Sequence, residues 1–416
     1  MTGVVGDALP PGSADVLIEC RPLIEGFAAA GHRLYLVGGI VRDLYHGARL
    51  DELDLDFTTD AVPRTVRAIL EPIADALWTQ GERFGTIAAK VDGRLVEITT
   101  HRAEAYDPES RKPEVVFADD ILVDLSRRDF TINALAIELT AAEPQLIDPF
   151  GGVGDLRRRR LRTPLAPSES FSDDPLRMLR AARFAARLAV VPDRDVVDAI
   201  AAMTDRLTVV SAERIRDELT KLLAVADPTP GLRLLVDTRL ADRFLPELDE
   251  RSLAAVTLVR ADPILRLAVI LSGAPEREAR ARMRALRHSR HDTARVAAVV
   301  GSVAIVVAHG DDWSEPDLRR LAHRAGADLQ DVVAVAAARG AVGVDVALND
   351  LATREDLSDL GVPIDGQAVM EVLGVPPGRD VGAALDHLLQ VRLDEGPMDR
   401  SEALAILGAW WSERRP

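Results

Sequence analysis

The sequence predicts an α+β protein in which a small mixed sheet with helices precedes an all-helical remainder. Between residues 20 and 150, short apolar runs bounded by Gly, Asp or Pro are mixed with helical stretches, and such runs are typical of strands. From about Phe171 onward, apolar residues recur every three or four positions, which indicates helices. The length of 416 residues predicts more than one domain.

Individual elements follow from these patterns. Strands are predicted at 33–39, 51–57, 85–91, 94–101 and 145–152. Helices are predicted at 40–47, 61–77 and 127–139, and in the helical remainder at 174–188, 211–225 and 228–245. Strand signals almost vanish after residue 165, so the mixed part of the chain ends there.

Composition restricts the class of protein. Hydrophobic residues make up 47% and charged residues 28% of the chain, as in an ordinary globular protein. The single cysteine, Cys20, cannot form an internal disulfide, and the N-terminus lacks the basic and apolar segments of a signal peptide. The most apolar run, 296–308, is too short to span a bilayer. We therefore expect a cytoplasmic protein that does not engage a membrane.

The charge distribution contains one basic segment in an otherwise acidic chain. A net charge of −16 argues against non-specific nucleic-acid binding. Residues 157–187, however, hold nine Arg against three acidic residues, so a polyanion could bind there. For the run of four arginines at 157–160, a solvated helix face is an equally good interpretation.

The first chemically suggestive feature is a glycine pair, Gly38 and Gly39, where the first strand meets a helix. Without Cβ atoms the backbone can approach a ligand closely, and amides that lead into a helix favour phosphate. Arg42 lies on the first turn of that helix and adds a charged donor. A plain strand–turn–helix corner would show the same two glycines, so both interpretations stay open.

Acidic residues then alternate along the next strand. Asp54 and Asp56 share one face, because alternate side chains of a strand point the same way. Two adjacent carboxylates stay ionised when a cation lies between them, and oxygen ligands suit magnesium and a substrate phosphate. Glu52 shares that face and could be a bystander. An exposed edge strand fits too, but the preceding glycine turn favours a metal-assisted nucleotide site.

The stretch "LVGGIVRDLYHG…LDLDFTTDA" resembles the first signature of the class II tRNA nucleotidyltransferases, which are the bacterial CCA-adding enzymes and poly(A) polymerases of the DNA polymerase β superfamily. Four further motifs follow in the family's order at 127–137, 147–156, 173–184 and 211–223. Five ordered motifs over some 190 residues are a highly specific signal, and residues 363–385 resemble the family's tail more loosely.

The resemblance implies that a tRNA 3′-hydroxyl attacks the α-phosphate of CTP or ATP and that pyrophosphate leaves, with two magnesium ions at the attacking and leaving oxygens. Asp54 and Asp56 match the family's metal ligands, and Glu97 lies where a third catalytic carboxylate is often found. The remaining matches contact the nucleotide or its triphosphate, and they are Gly38, Gly39, Arg42 and Arg128.

The fourth motif implies how the base is chosen without a template. Asp174 and Arg177 match family positions that bond to the Watson–Crick edge of CTP or ATP, with Arg180 and Arg183 following toward the nucleotide. Guanidinium donors and carboxylate acceptors can distinguish base edges. Asp174 precedes Pro175 and is also an ordinary helix N-cap, so it could do both. The family's usual Glu-Asp is Asp-Asp here, a conservative change.

Two further segments bear on the implied activity. Residues 100–117 match a flexible loop that CC-only relatives shorten, and its presence with Arg102 and Tyr106 favours full CCA or A addition, although a surface loop would look the same. Many relatives also carry a His-Asp phosphohydrolase domain after the fifth motif. Here Ser272 and Gly273 occupy the His-Asp positions, and neither is a useful transition-metal ligand. We predict that the helical packing is kept and the hydrolase site lost, with His288 and His291 on the surface.

The resemblance also divides the chain. The predicted segments are an N-terminal extension (1–19), a polymerase-β-type nucleotidyltransferase head (20–165), a base-reading neck (166–228), a helical body with a degenerate His-Asp-type domain (229–345) and a helical tail (346–416). Body and tail are expected to hold the acceptor and TΨC arms of tRNA. The oligomeric state stays open.

The leading functional prediction is magnesium-dependent, template-independent addition of CCA to the tRNA 3′ end from CTP and ATP. The first alternative is a poly(A) polymerase, which the charge of −16 and the lack of a Lys-rich tail disfavour. An A-only or CC-only enzyme is a further alternative within the family. A catalytically inactive RNA-binding protein is the alternative from another class, and the intact Asp54 and Asp56 pair speaks against it.

Overall fold

The structure is a computed structural model that describes residues 8–105, 114–117 and 120–414. The chain divides into two compact units. The first comprises Met1–Glu218 and Pro230–Arg243, and the second comprises Leu219–Thr229 and Phe244–Pro416. The finer division into five segments stays a prediction.

A seven-stranded mixed sheet forms the centre of the first unit. The strands in chain order are β1 Leu34–Val37, β2 Leu55–Thr59, β3 Ala76–Trp78, β4 Thr86–Val91, β5 Arg94–Thr100, β6 Arg102–Ala105, β7 Glu114–Phe117, β8 Ala136–Glu138, β9 Gln145–Ile147, β10 Arg160–Leu161 and β11 Val191–Pro192. The sheet has the order β3-β4-β5-β2-β1-β8-β9, in which β2 and β5 are parallel and the other neighbours antiparallel. Two small sheets pair β6 with β7 and β10 with β11.

Helices surround this sheet and fill the rest of the chain. Up to residue 237 they are α1 Ser13–Glu19, α2 Arg21–Ala29, α3 Gly39–Tyr45, α4 Pro63–Leu70, α5 Ile121–Ser126, α6 Gly152–Arg158, α7 Pro167–Asp173, α8 Arg177–Leu188, α9 Arg194–Met203, α10 Ala212–Leu223 and α11 Thr229–Asp237. All four residues of β1 are buried, which explains its uninterrupted apolar sequence LYLV at the middle of the sheet. Phe27, Phe57 and Phe130 are also fully buried.

The second unit is helical throughout its described residues. Its further helices are α12 Glu250–Ala255, α13 Pro263–Leu271, α14 Glu276–Ala285, α15 Arg290–His309, α16 Glu315–Ala325, α17 Leu329–Ala338, α18 Val344–Ala352, α19 Gly366–Leu373, α20 Arg379–Glu395 and α21 Arg400–Arg414. Several begin at a Ser or Asp whose side chain accepts a first-turn amide, at Asp249, Asp262, Ser289, Ser314 and Asp365. The α+β class with a helical remainder is therefore confirmed.

Helix α15 is longer than the apolar run 296–308 at its centre. Among the described residues it is the one helix that is long and apolar enough, by length and composition alone, to cross a membrane. Half of its most apolar window is buried inside the protein, including Val296, Val300 and Val303. Its apolar composition is thus explained by packing in the second unit.

The predicted helix at 127–139 is wrong. Its sequence forms a short 3₁₀ turn at Thr131–Asn133 and then strand β8, which pairs with both β1 and β9. A short apolar run that is buried on all sides has no distinguishing period, so a central strand and a helix look alike. The helix predicted at 61–77 is too long, because α4 ends at Leu70 just before Glu71-Pro72 and the last residues enter β3.

Candidate active site

Three carboxylates meet at one place on the sheet. Asp54 directly precedes β2 and Asp56 lies within it, and both are exposed while the intervening Leu55 and the following Phe57 are buried. The alternation predicted from the sequence therefore exists. In the parallel neighbour β5, Glu97 stands opposite Asp56 in the strand register.

The electrostatics of this cluster are those of crowded like charges. The Asp56 carboxylate keeps solvent contact, but the surrounding protein desolvates it in part, and Glu97 and Asp54 repel its negative charge. Together these effects outweigh the attraction of Arg128 and raise the pKa of Asp56 to about 6. A cation bound here would relieve that repulsion.

The donor set fits magnesium. No group of three or more His, Cys, Asp or Glu side chains is arranged as a ready metal cage anywhere in the described part of the chain. Magnesium, however, is usually held by one or two carboxylates together with substrate phosphates and water, rather than by a cage made only of protein. The exposed oxygens of Asp54 and Asp56 beside Glu97 match that mode of binding.

The glycine pair forms the turn that the sequence predicts. Helix α3 begins at Gly39, and Gly38 has a φ of +82°, which favours glycine. A Cβ atom at Gly38 would lie 2.7 Å from Nη1 of Arg128, so the room beside this glycine is taken by a guanidinium group. Arg128 is anchored by the Asp124 carboxylate at 3.1 Å and keeps 26% of its side chain exposed.

Arg42 lies deeper than the sequence suggests. Its side chain is 3% exposed and donates to Asp43 at 2.7 and 2.8 Å and to Oδ1 of Asn133. Its guanidinium carbon lies 5.3 Å from the ring centroid of Phe184. The structure thus places Arg42 in a buried polar network beneath the glycine turn, and its contact with a triphosphate stays a prediction.

Helix α8 carries a row of arginines at three-residue spacing, each with a fixed partner. Arg177 donates to the Ser170 hydroxyl at 2.8 Å, and Arg180 donates to Asp129 from Nε at 2.8 Å. Arg183 is buried and donates to Glu218 at 2.6 Å. These bonds hold side chains that would otherwise have much rotational freedom.

Burial and ion pairing shift the pKa values of Arg183, in this row, and of Asp129, the partner of Arg180. Burial alone would raise the pKa of Asp129, but Arg180, the Asn133 amide and the charge of Arg177 outweigh it, so the pKa is lowered. Burial lowers the pKa of Arg183 although Glu218 opposes the change. The arginine row is therefore a preformed charged surface rather than a set of freely moving side chains.

Asp174 binds a backbone amide in the turn before α8 and makes an ion pair as well, although the N-cap of α8 is Leu176. Its carboxylate accepts the amide of Leu176 at 3.2 Å, just before α8 begins at Arg177. Its second oxygen accepts from Arg214 at 2.8 Å. The side chain is half-buried, so it remains accessible from the cleft described next.

A cavity of about 400 Å³ brings most of the predicted residues together. Those that line it are Asp56, Glu97, Arg128, Asp174, Arg177 and Arg180. The predicted residues that do not line it are Gly38, Gly39, Arg42, Asp54 and Arg183. The sheet thus contributes the carboxylates of Asp56 and Glu97 to one cleft, and α8 contributes the guanidinium groups of Arg177 and Arg180. Both kinds of group suit a nucleoside triphosphate with bound cations.

Sequence reasoning missed several residues of the cleft. Arg127 and Asp129 flank the predicted Arg128, and both line the cavity together with Asp124 and Thr99. The charged triplet at 127–129 was a usable signal, whereas Thr99 and Glu218 depend on strand register and helix packing. Tyr106 lies outside the described residues, and Arg102 is described only as the first residue of β6.

The predicted relic site lies beside a second cavity, of about 610 Å³, within the second unit. Ser272 and Gly273 line it with Arg251, Arg339 and small apolar residues, and no carboxylate or imidazole is among its lining residues. His291 is exposed as predicted. His288 is half-buried and lines a different pocket, so its assignment to the open surface is wrong.

Comparison with known proteins gives matches over nearly the whole chain. Residues 34–162 match the Poly A polymerase head domain family, and residues 192–251 match the probable RNA and SrmB-binding site of polymerase A. The CCA-adding enzyme of Lactobacillus helveticus is 29% identical over 406 residues, covering 94% of this chain and 96% of the relative. That of Bacillus subtilis is 37% identical over 230 residues, covering 55% and 56%.

Solved structures of CCA-adding enzymes also match the chain over almost its full length. The Bacillus stearothermophilus CCA-adding enzyme in complex with CTP superposes with a TM-score of 0.74 at 29% identity, covering 96% of this chain and 98% of that one. The Thermotoga maritima CCA-adding enzyme complexed with tRNA has a TM-score of 0.70 at 21% identity, covering 98% and 97%, and shows that the fold is shared.

Proposed function

We propose that the chain is a CCA-adding enzyme, which adds CCA to the 3′ end of tRNA from CTP and ATP without a template and releases pyrophosphate. The observation that carries this proposal is the cleft of about 400 Å³, in which Asp56 and Glu97 lie across from Arg177 and Arg180. Carboxylates for a metal and arginines for a nucleotide are there in one place.

Magnesium would be held by Asp56, which lines the cleft, and by Asp54 on the same face of the strand, with Glu97 opposite Asp56 in the register. Bound there, magnesium supplies Lewis-acid stabilisation of the attacking and leaving oxygens in phosphoryl transfer. The side chains of the protein bind and orient the nucleotide. Arg128, fixed by Asp124 beside the glycine turn, supplies positive charge for the triphosphate, and the turn at Gly38 gives it room.

The helix side of the cleft selects the base. Arg177 and Asp174 present donors and an acceptor that can pair with the Watson–Crick edge of cytosine or adenine. Their partners keep them in place, since Arg177 is tied to Ser170 and Asp174 to the amide of Leu176. Because the reading groups are fixed before the nucleotide arrives, little ordering entropy is lost when it binds.

The partner RNA is tRNA, held through its acceptor and TΨC arms by the helical part of the chain. Phosphate contacts should make that binding weaken with increasing salt. The protein is proposed to act in the cytoplasm. The cavity beside Ser272 and Gly273 is proposed to lack hydrolase activity, so phosphodiesterase turnover should be absent with nickel or manganese. Robust turnover with either metal would contradict that part of the proposal.

One assay separates the leading function from its alternatives. Purified protein is incubated with tRNAs that lack the terminal A, CA or CCA, with CTP and ATP supplied separately and together. Ordered addition of C, C and A supports the proposal. Addition of C alone or A alone identifies a CC-only or A-only enzyme, and tailing of arbitrary RNA with ATP identifies a poly(A) polymerase. No incorporation into any substrate refutes the enzyme function.

A further inference from the structure

A cationic pocket lies at the turn between α14 and α15 in the second unit. It encloses about 500 Å³ and is lined by Arg280, Arg284, His288, Arg290 and Thr293. No carboxylate is among these lining residues, although the chain as a whole is strongly acidic. Like charges around one cavity repel each other unless an anion lies between them.

The hydroxyl of Thr293 is the clearest sign of a missing partner. The side chain is 4% exposed, and its Oγ1 has no hydrogen-bond partner among the described residues. A buried hydroxyl without a partner destabilises the folded state, so such groups are rare. Because Thr293 lines the cationic pocket, its hydroxyl could donate a hydrogen bond to an oxyanion bound there.

The nearby carboxylates are already engaged. Glu276 accepts from Arg280 at 3.0 Å and from Arg324 at 3.1 Å. Asp292 accepts from the Ser289 hydroxyl at 2.7 Å on the first turn of α15. Neither carboxylate reaches the two remaining arginines of the pocket.

Arg284 and Arg290 are the available cations. Both are exposed, and within the described residues neither side chain makes an ion pair. They approach the N-terminus of α15, a helix of 20 residues whose partial positive charge also favours an anion. Two guanidinium groups, a helix N-terminus and a buried hydroxyl together form the donor set of a phosphate site.

We propose that this pocket binds a phosphate group, supplied either by free phosphate or by a phosphodiester of a bound RNA. None of its residues belongs to the nucleotide cleft. With free phosphate the site goes beyond the proposed function, and with an RNA phosphodiester it rests on that function and deepens its account of tRNA binding. Its ligand chemistry is a tetrahedral oxyanion that accepts from Arg284, Arg290 and Thr293.

Thermal unfolding of the full chain tests the site. Unfolding midpoints are measured in phosphate and in chloride at equal ionic strength for the wild type, Thr293→Val, the double variant Arg284→Gln/Arg290→Gln, and the control Arg277→Gln. Arg277 is an exposed arginine of α14 outside the pocket. Phosphate bound in the nucleotide cleft adds the same rise to all four proteins, so only the differences between them count.

The expected result has two parts. The double variant and Thr293→Val lose at least half of the phosphate-induced rise, whereas Arg277→Gln keeps all of it. In chloride, Thr293→Val melts no lower than the wild type, because an unsatisfied hydroxyl has been replaced by a methyl group of similar shape. An equal phosphate-induced rise in all four proteins overturns the proposal, as does a Thr293→Val protein that responds like the wild type.

Binding of tRNA then identifies the source of the phosphate. If an RNA phosphodiester occupies the pocket, the double variant binds tRNA more weakly than Arg277→Gln, and its salt slope falls by about one. If free phosphate is the occupant, the two variants bind tRNA equally well. CTP incorporation by the wild type is measured in parallel. Absence of incorporation would refute the proposed enzyme function, whereas an unchanged phosphate response of the variants would refute the phosphate site.

Discussion

The cleft of the first unit and the cavity beside Ser272 and Gly273 differ in the signs of charge that line them. The cleft of the first unit combines carboxylates from the sheet, such as Asp56, with arginines from α8, such as Arg180. The cavity beside Ser272 and Gly273 is the larger of the two, but its only charged lining residues are Arg251 and Arg339. The volume of a cavity therefore does not identify the reactive site. The presence of metal-binding carboxylates and phosphate-binding arginines in one cavity does.

The largest expected effect comes from removing one charge on the carboxylate side of the cleft. Asp56→Asn should lower kcat/KM for CTP incorporation about 10³-fold, or ~4 kcal/mol, because metal stabilisation of the transition state is lost. Steady-state kinetics on a tRNA that lacks CCA measure this change. Asp51→Asn is the matched control, since Asp51 is exposed and pairs with the nearby Arg49. A smaller than tenfold difference between the two variants would remove Asp56 from the metal site.

A second pair of variants compares buried glutamates of the two units. The side chains of Glu218 and Glu355 are 5% and 3% exposed, and each accepts from buried arginines, Arg183 in the first case and both Arg319 and Arg392 in the second. Replacement of either Glu by Gln leaves buried guanidinium charge uncompensated and should lower the free energy of unfolding by about 3 kcal/mol. Denaturant unfolding measures this cost.

Only the glutamate beside the cleft should also affect selectivity. Glu218→Gln releases Arg183 and weakens the hold on Arg180, so the ratio of correct to incorrect nucleotide incorporation should fall. Glu355→Gln should leave that ratio unchanged, because its partners lie on α16 and α20. An equal ratio of correct to incorrect incorporation in both variants would mean that Glu218 does not contribute to nucleotide selection by the arginines of α8.

The pH dependence of metal binding sharpens the comparison further. Asp56 has a raised pKa of about 6, so at pH 5 about one tenth of it is ionised. The apparent affinity for magnesium should therefore fall about tenfold between pH 7 and pH 5, which a magnesium titration of thermal stability can follow. Glu97→Gln should move the midpoint to lower pH, because Glu97 helps to raise the pKa. An unchanged midpoint would show that Glu97 does not contribute to the raised pKa of Asp56.

The same pKa shift fixes the sign of its effect on folding in the absence of metal. A carboxyl group with a folded pKa above its unfolded value of 3.8 stabilises the fold below that value and loses this contribution as the pH rises through about 6. The metal-free wild type should accordingly lose stability relative to Asp56→Asn over this range. Unfolding at pH 4 and pH 7 without magnesium measures the difference.

Sequence reasoning succeeded where the determinant was local. The period of two at Asp54 and Asp56 predicted one exposed face, and the three-residue spacing of Arg177, Arg180 and Arg183 predicted one row on a helix. The position of Glu97 opposite Asp56 was out of reach of such reasoning, because parallel register depends on how distant strands pair. The resemblance to a family supplied that third carboxylate.

The failures have a common physical cause. The apolar run at 134–137 is buried from all sides, so its sequence does not distinguish the central strand β8 from a helix. The burial of Arg42 against Asn133 and Asp43 was equally out of reach of local patterns, while its contact with a triphosphate stays a prediction. Burial of a charged side chain depends on partners that are remote in sequence or provided by the fold, and no local pattern predicts them.

The smallest expected effect separates two reasons for a glycine. Gly38 and Gly47 both have a positive φ, of 82° and 77°, but a Cβ at Gly38 would lie 2.7 Å from Arg128 whereas a Cβ at Gly47 would meet nothing within 4 Å. Replacement by Ala should therefore cost both about 1 kcal/mol of stability from backbone strain. Gly38→Ala alone should also displace Arg128 and raise the KM for CTP. If Gly47→Ala raises KM equally, strain in α3 rather than the position of Arg128 governs triphosphate binding.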